Sequence, residues 1–267
     1  MNCKGFSRRD FLKFTAAGTA GAVIASRLGS SPSIDALDPD IASAAGLKGY
    51  DWEAHNWGLI IDTMKCIGCG NCARACKAEN EVPWEPEYNR TWIERYVFSQ
   101  EGEIYVDSPN GGIEGFAAEH KNAKYENLDI RKSFFVPKLC NQCDKPPCVR
   151  VCPVGATYMT GDGVVLIDED HCIGCRYCLQ ACPYGARFFR HDTGVAEKCT
   201  WCYHRITKGL VPACVEVCPV EARTFGNLED PNSPVRQRLE GERVYGLKPE
   251  LGTMPKLYYI GLENGVL

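Results

Sequence analysis

The chain has 267 residues, a formal net charge of −4 and 17 cysteines. Its length allows one large domain or two modest ones. Because 17 is odd, complete pairing into disulfides within one chain is excluded. No basic stripe with interleaved aromatic residues is present, and residues 37–267 carry 25 Lys/Arg against 32 Asp/Glu. This balance argues against nucleic acid as a partner.

The chain begins with a segment typical of export. Residues 7–13 read Ser-Arg-Arg-Asp-Phe-Leu-Lys and resemble the twin-arginine motif S-R-R-x-F-L-K at every defined position. The mildly apolar stretch that follows, residues 14–25, is shorter than a membrane-spanning helix requires. We therefore interpret residues 1–36 as a twin-arginine signal segment and residues 37–57 as an N-terminal arm. Cys3 lies in the signal segment and has no expected chemical role.

The resemblance to that motif implies export of the folded protein to the periplasm or the outer face of the cytoplasmic membrane. No run of 18 apolar residues occurs in the sequence. We therefore expect no membrane span of its own after removal of the signal segment.

Sixteen cysteines fall into four groups of four, and three of the groups end in Cys-Pro. Groups one and three have the spacing C-x2-C-x2-C-x3-C, group two has two extra residues before its third cysteine, and group four has eleven residues there. A loop with a cysteine at every third residue can hold three corners of an iron–sulfur cubane, and in two-cluster ferredoxins the fourth cysteine binds the other cluster. Structural zinc sites have C-x2-C pairs with longer gaps, which fit this pattern less well. The groups are Cys66, Cys69, Cys72 and Cys76; Cys140, Cys143, Cys148 and Cys152; Cys172, Cys175, Cys178 and Cys182; and Cys199, Cys202, Cys214 and Cys218.

Short strands are predicted in chain order ahead of the first three groups. Residues 58–65 and 164–168 are apolar runs that lead into groups one and three, which indicates an internal repeat. Between them, residues 91–98 and 103–106 flank Gln-Glu-Gly and predict a hairpin, and residues 133–137 predict a further strand into group two.

The insertion at residues 77–139 separates the first two groups, and its residues 107–131 show no clear period. We interpret the latter as an exposed excursion that contacts a partner, with a surface loop as the alternative. Lys77 stands where the other groups have proline, and we expect it to relax one loop exit. Residues 227–267 predict an irregular C-terminal tail.

The order of the four spacings, together with Lys-Cys-x2-Cys-x-His-Arg at residues 198–205, resembles a known family over residues 58–226. It is the four-cluster electron-transfer subunit of molybdopterin oxidoreductases of the dimethyl sulfoxide reductase superfamily and of related membrane redox complexes. Because the chain also has a signal segment, it most resembles the exported members of this family, which are the beta subunits of tetrathionate, polysulfide or arsenate reductases. The resemblance implies an α+β fold with two ferredoxin-like units and four [4Fe-4S] clusters.

The resemblance also implies which cysteines share a cluster, with groups one and four forming one unit and groups two and three the other. Cluster one takes Cys66, Cys69, Cys72 and Cys218; cluster two takes Cys140, Cys143, Cys148 and Cys182; cluster three takes Cys172, Cys175, Cys178 and Cys152; and cluster four takes Cys199, Cys202, Cys214 and Cys76.

By this resemblance the chain is a non-catalytic relay of single electrons. Its partners are a molybdopterin catalytic subunit and an integral membrane quinone-reactive subunit, or a multihaem cytochrome in a trans-membrane complex of the sulfate-reducer type without molybdenum. A stand-alone periplasmic ferredoxin is a further alternative. An enzyme with an open iron site would need a cluster short of one cysteine, and sixteen cysteines leave none short.

Charged residues beside the ligands are candidates for raising cluster potentials, with ordinary solvated charges as the alternative. They are Lys65, Lys138, Arg176, Lys198 and Arg205.

Overall fold

The computed structural model describes residues 50–116, 125, 128–263 and 265–266. The predicted signal segment and residues 37–49 of the predicted arm lie outside the described residues. The described part contains eleven strands and six α-helices arranged in small sheets and short helices, which confirms the expected α+β class.

A four-stranded sheet is built around β1 (Trp57–Asp62). On one side β1 pairs in parallel with β11 (Leu257–Ile260), and on the other it pairs antiparallel with β9 (Arg223–Asn227). The two-residue strand β10 (Val244–Tyr245) completes the sheet beyond β11. The apolar run in β1 is fully buried, as expected for a central strand.

The predicted strand at residues 58–65 ends earlier, at Asp62, for a local reason. The Asp62 carboxylate accepts a hydrogen bond from the Met64 amide at 3.0 Å, and the Asp62 carbonyl accepts one from Cys66. Such bonding of an aspartate to the amide two residues later favours a turn over a continued strand. The turn delivers the chain to the first cysteine group.

A three-stranded sheet lies in the insertion between groups one and two. The predicted hairpin is confirmed as β2 (Thr91–Ser99) and β3 (Ile104–Asp107). β4 (Ile130–Leu139) pairs antiparallel with the whole of β2 and is longer than the predicted strand at 133–137. It ends one residue before Cys140, so this sheet positions group two.

Two short antiparallel hairpins follow groups two and three. The first joins β5 (Thr157–Met159) to β6 (Val165–Ile167), and the second joins β7 (Arg187–Phe189) to β8 (Ala196–Lys198). The strand predicted at 164–168 is therefore β6.

Four of the six helices each contain the third cysteine of a group. Two of the six helices begin at a proline, Pro147 and Pro234, since proline has the helical φ and lacks only an amide that a first turn leaves unpaired. The helices are α1 (Asn71–Glu79), α2 (Pro147–Arg150), α3 (Tyr177–Ala181), α4 (Tyr203–Ile206), α5 (Ala213–Glu216) and α6 (Pro234–Gly241), of which α1, α2, α3 and α5 carry Cys72, Cys148, Cys178 and Cys214.

The structure corrects the expectation of an irregular tail over residues 227–267. This segment contains α6, β10 and β11, and β11 lies inside the four-stranded sheet. Leu257 and Tyr259 of β11 are fully buried in the main core, together with Trp201 and Leu59.

The start of the predicted excursion at 107–131 is also packed rather than exposed. Residues Pro109–Gly112 form a 3-10 turn, and Gly111, Gly112 and Ile113 are buried. Arg74 of α1 donates a hydrogen bond to the Ile113 carbonyl, which ties this turn to group one. Residues 117–124 and 126–127 of the excursion lie outside the described residues.

None of the helices in the described part of the chain combines the length and the apolar character that crossing a membrane requires.

Candidate iron–sulfur sites

The four cysteine loops share one backbone feature. The second residue after the first cysteine has a left-handed conformation in every group: Gly68 (φ 67°), Gln142 (φ 43°), Gly174 (φ 66°) and Trp201 (φ 55°). Left-handed residues within a turn direct successive backbone N–H groups into a common concavity that suits an anion. The repeat seen in the sequence is thus a repeat of loop conformation as well.

In groups one and three this position requires glycine for space as well as for φ. A Cβ at Gly68 would lie 2.7 Å from the Phe135 ring, and one at Gly174 would lie 2.4 Å from the Gly194 carbonyl oxygen. Both approaches are too close for any side chain to be accepted without movement of the neighbour.

In groups two and four, larger side chains at this position tie the loop to the protein interior. Gln142 is fully buried, donates to the Cys199 carbonyl at 2.9 Å and accepts from the Val165 amide at 2.7 Å. Trp201 is fully buried and packs edge-on against Phe225, with ring centroids 5.5 Å apart. These contacts offset the cost of a left-handed non-glycine residue.

Three cavities are each lined by four of the predicted cysteine ligands. In each, three cysteines come from one sequence group and the fourth from another, and the empty space is about 340, 330 and 290 Å³ in sites one, two and three. Site one has Cys66, Cys69, Cys72 and Cys218; site two has Cys140, Cys143, Cys148 and Cys182; and site three has Cys152, Cys172, Cys175 and Cys178. These sets coincide with three of the four that the family resemblance implies.

The remaining four described cysteines, which we call site four, are all buried. They are Cys76, Cys199, Cys202 and Cys214. The Asn80 side-chain nitrogen lies 3.7 Å from the Cys76 sulfur and 3.5 Å from the Cys202 sulfur, so it joins α1 to the group-four loop. Burial raises the pKa of Cys76, and the sulfurs of Cys199 and Cys214 raise it further.

Burial opposes ionisation of the bare thiols. It raises the pKa of Cys143 to about 12 and that of Cys66 and Cys214 to about 11. At neutral pH these thiols would keep their protons unless a metal replaced them, because coordination requires the thiolate.

Backbone amides donate hydrogen bonds to the sulfurs of the last cysteines in groups two and four. Cys152 accepts from the Thr157 amide at 3.4 Å, and Cys218 accepts from the Ala222 amide at 3.3 Å. Although burial raises the pKa of Cys152, amide hydrogen bonds lower it more, and the net shift is downward. Donors of this kind stabilise a negatively charged sulfur and tune cluster potentials.

The donor set fits a cluster better than a single ion. A zinc ion needs four ligands about 2.0–2.3 Å from one point. In the described part of the chain, no three His, Cys, Asp or Glu side chains are placed to hold one metal ion. The thiols instead surround a space, as an iron–sulfur cubane requires.

Of the five cations predicted beside ligands, only Lys198 is buried with the sulfurs, at 0% exposure. Lys65 is exposed. Lys138 pairs with Glu94 at 2.8 Å, Arg176 lies 3.8 Å from the Phe189 ring centroid, and Arg205 pairs with Glu79 at 3.0 Å.

Two buried arginines were not predicted as site residues. Arg223 is 4% exposed and lines site one, and Arg187 is 7% exposed and lines site two. Arg223 donates to the Thr91 hydroxyl at 3.0 Å, and Arg187 lies 3.4 Å from the Thr157 hydroxyl. Each is the fifth residue after the last cysteine of its group, so the repeated Cys-Pro-x-x-Ala-Arg segment carried a signal for both.

Comparison with known proteins identifies iron–sulfur domains in this chain. 4Fe-4S dicluster domains match residues 65–156 and 131–228. The B subunit of tetrathionate reductase from Salmonella typhimurium is 41% identical over 212 residues, covering 79% of this chain and 74% of that protein. The arsenate respiratory reductase iron–sulfur subunit ArrB of a Shewanella species is 34% identical, covering 76% of this chain and 95% of that protein.

The chain belongs to the iron–sulfur B subunits of the dimethyl sulfoxide reductase superfamily. The protein NrfC of Escherichia coli is also similar, at 35% identity over 267 residues and 97% of each chain.

As a member of this family, the protein carries four [4Fe-4S] clusters on two ferredoxin-like dicluster domains. A twin-arginine pathway signal matches residues 5–25, which confirms the predicted export motif.

Proposed function

We propose that this iron–sulfur protein relays single electrons between a membrane quinol- or cytochrome-linked partner and an exported molybdopterin catalytic subunit. Each [4Fe-4S] cluster, when bound, takes up and gives back one electron. The observation that carries the proposal is that three cavities are each lined by three cysteines of one sequence group and one of another, while the four remaining described cysteines are buried.

The proposed ligands are the four sets that define sites one to four. The chain's own groups do three things at these sites. They supply thiolates, they direct backbone amides at some of the sulfurs, and they pack apolar side chains against the buried cysteines. Each site has four cysteines, so the proposal assigns the chain no open iron for substrate and no catalytic step.

The partners are proposed from the relatives and from the signal. Tetrathionate and arsenate respiratory reductases are the complexes that the similar subunits are named for. The twin-arginine signal supports export, and we place the mature protein in the periplasm or on the outer face of the cytoplasmic membrane.

Substitution of a single proposed ligand tests the cluster assignment. In Cys178→Ser we expect one of the four clusters to be lost or converted to a three-iron form, with the iron content falling below the roughly 16 atoms of four cubanes. Iron analysis and low-temperature EPR of the anaerobically purified, dithionite-reduced protein measure this. Leu251→Ser, at an exposed position that lines none of the three cavities, is the control and should leave both readouts unchanged. An unaltered four-cluster spectrum in Cys178→Ser would contradict the assignment.

Metal analysis of the complex purified from its native host tests the partner assignment. Molybdenum in stoichiometric amount with the four clusters is the expected result. Several haems per chain without molybdenum would instead identify a cytochrome-linked redox complex, and the clusters alone would identify a free ferredoxin.

A further inference from the structure

Three buried cations, Arg223, Lys198 and Arg187, lie among the cysteine sulfurs, and we refer to them as the gap cations. None of the three makes an ion pair with a carboxylate among the described residues. A buried charge without a counter-charge costs several kcal/mol, so each needs a negative group nearby.

Arg223 lies between sites one and four. It lines the site-one cavity. The sulfurs that interact most strongly with its charge are Cys72 of site one and Cys214 of site four. Its only hydrogen-bond acceptor among the described N and O atoms is the Thr91 hydroxyl, and its Nη1 atom is buried without a partner there.

Arg187 has the equivalent place between sites two and three. It lines the site-two cavity, and the sulfurs that interact with its charge include Cys148 of site two and Cys178 of site three. Its acceptor is the Thr157 hydroxyl, and within the described residues its Nη2 atom is buried without a partner. The two arginines therefore repeat one arrangement in the two units.

Lys198 lies between sites two and four, where the two units meet. It is directly opposite Arg187 in the β7–β8 pair, so two buried cations are cross-strand neighbours. Its ammonium donates to the carbonyls of Val165 and Cys199, and the sulfurs that interact with its charge include Cys140 of site two and Cys199 of site four. Two like charges at such positions repel each other, and carbonyl oxygens alone do not neutralise them.

We propose that each gap cation raises the reduction potentials of the two clusters on either side of it. The proposal rests on the ligand sets of the proposed function. A cubane held by four thiolates has a net negative charge, which becomes more negative on reduction, and a nearby fixed cation stabilises the reduced form.

The cation also weakens the repulsion between neighbouring reduced clusters. In the transfer step one electron leaves the donor site as one arrives at the acceptor site. No bond is made or broken, and no proton is required, because the positive charge is already in place.

Replacement of each gap cation by glutamine tests this, since glutamine keeps a hydrogen-bond donor and removes the charge. EPR-monitored potentiometric titration of the anaerobic holoprotein resolves four one-electron steps. We expect two of the four midpoint potentials to fall in each of Arg223→Gln, Lys198→Gln and Arg187→Gln. The affected clusters should overlap between variants in one pattern only. Lys198→Gln should lower the potential of one cluster that Arg223→Gln also affects and of one that Arg187→Gln also affects, and the two arginine variants should have no affected cluster in common.

Charge-retaining and surface variants provide the controls. Arg223→Lys and Lys198→Arg should restore the original potentials, which a purely structural role would not predict. Arg236→Met removes an exposed cation that lines none of the three cavities and should leave all four potentials unchanged.

The possible outcomes separate the two proposals. Potentials that do not move while all four clusters are present would overturn the role of the gap cations, as would a shift of all four in every variant. If a glutamine variant loses iron only from its two adjacent sites, and the charge-retaining variant keeps it, the charge is needed there and the inference is supported. A wild-type protein with fewer than four clusters would instead overturn the ligand sets.

Discussion

Lys77 shows how one residue changes the exit from a cysteine group. The other three groups continue with proline, which ends the helix, whereas α1 runs on through Lys77 to Glu79. The Lys77 ammonium is buried and donates to the carbonyls of Pro83 at 2.7 Å and Tyr88 at 2.6 Å, with Glu85 at 3.1 Å. The expectation that Lys77 relaxes the loop exit is therefore wrong, because it anchors the loop that follows.

Removal of this ammonium is expected to destabilise the protein. In Lys77→Met three carbonyl oxygens lose their charged donor, at a cost of about 2–3 kcal/mol. The measurement is the apparent Tm of the anaerobic holoprotein, followed by cluster absorbance. Lys145→Met, at an exposed position beside group two, is the control and should leave the Tm in place. Equal transitions for the two variants would refute the anchoring role.

For individual residues, the sequence predicted all of the candidate ligands but only some of the residues that contact them. The cysteine spacing predicted the sixteen candidate ligands, and the segment repeated after groups three and four held Arg187 and Arg223 at equivalent positions. Nothing local in the sequence indicates that Gln142 and Trp201 adopt positive φ, because that conformation is imposed by tertiary contacts of their side chains.

At the scale of elements, β11 joins two sheets. It pairs in parallel with β1, and the hydroxyl of its fully buried Tyr259 donates to the Pro137 carbonyl of β4 at 3.0 Å. The C-terminal strand therefore links the sheet that leads to group one with the strand that leads to group two.

Truncation of Tyr259 should weaken this link in two steps. Tyr259→Phe loses one hydrogen bond and should cost about 1 kcal/mol, and Tyr259→Ala adds a cavity and should cost about 3–5 kcal/mol. Anaerobic thermal unfolding ranks the variants. Leu251 is half exposed in the same segment, and Leu251→Ala should have nearly the thermal stability of the wild type. A Tyr259→Ala protein as stable as this control would show that β11 is dispensable.

The elements differ in how far sequence could predict them. The β2–β3 hairpin is local, and its turn residues and flanking strands are visible in order. The partner of β11 is almost 200 residues away, at β1, and a parallel pair of that separation leaves no local pattern. The sequence therefore predicts an irregular segment where the structure has a core strand.

At the scale of the whole molecule, the regular elements are too short to be stable alone. Five of the six described α-helices have eight residues or fewer, and the hairpins β5–β6 and β7–β8 have strands of three residues. Isolated helices and two-stranded hairpins of this size do not persist in water. The iron–thiolate bonds are expected to supply much of the missing stability.

Removal of iron should therefore unfold the protein. Treatment with a chelator and a mild oxidant is expected to abolish the cluster absorbance together with most far-UV circular dichroism, because the buried gap cations lose the anionic sulfurs around them. The chelator without oxidant serves as the control. Iron-free protein that kept its circular dichroism and a cooperative thermal transition would refute this account.

The exchange of fourth cysteines has a consequence for biosynthesis. With the proposed ligands, sites two and three are complete once residue 182 has left the ribosome, whereas site four waits for residue 214 and site one for residue 218. Metal insertion can then begin in the middle of the nascent chain, and its two ends are closed last. The N-terminal export signal is thus synthesised first, on a polypeptide whose first cysteine group lacks its partner ligands until residues 214 and 218 have been added.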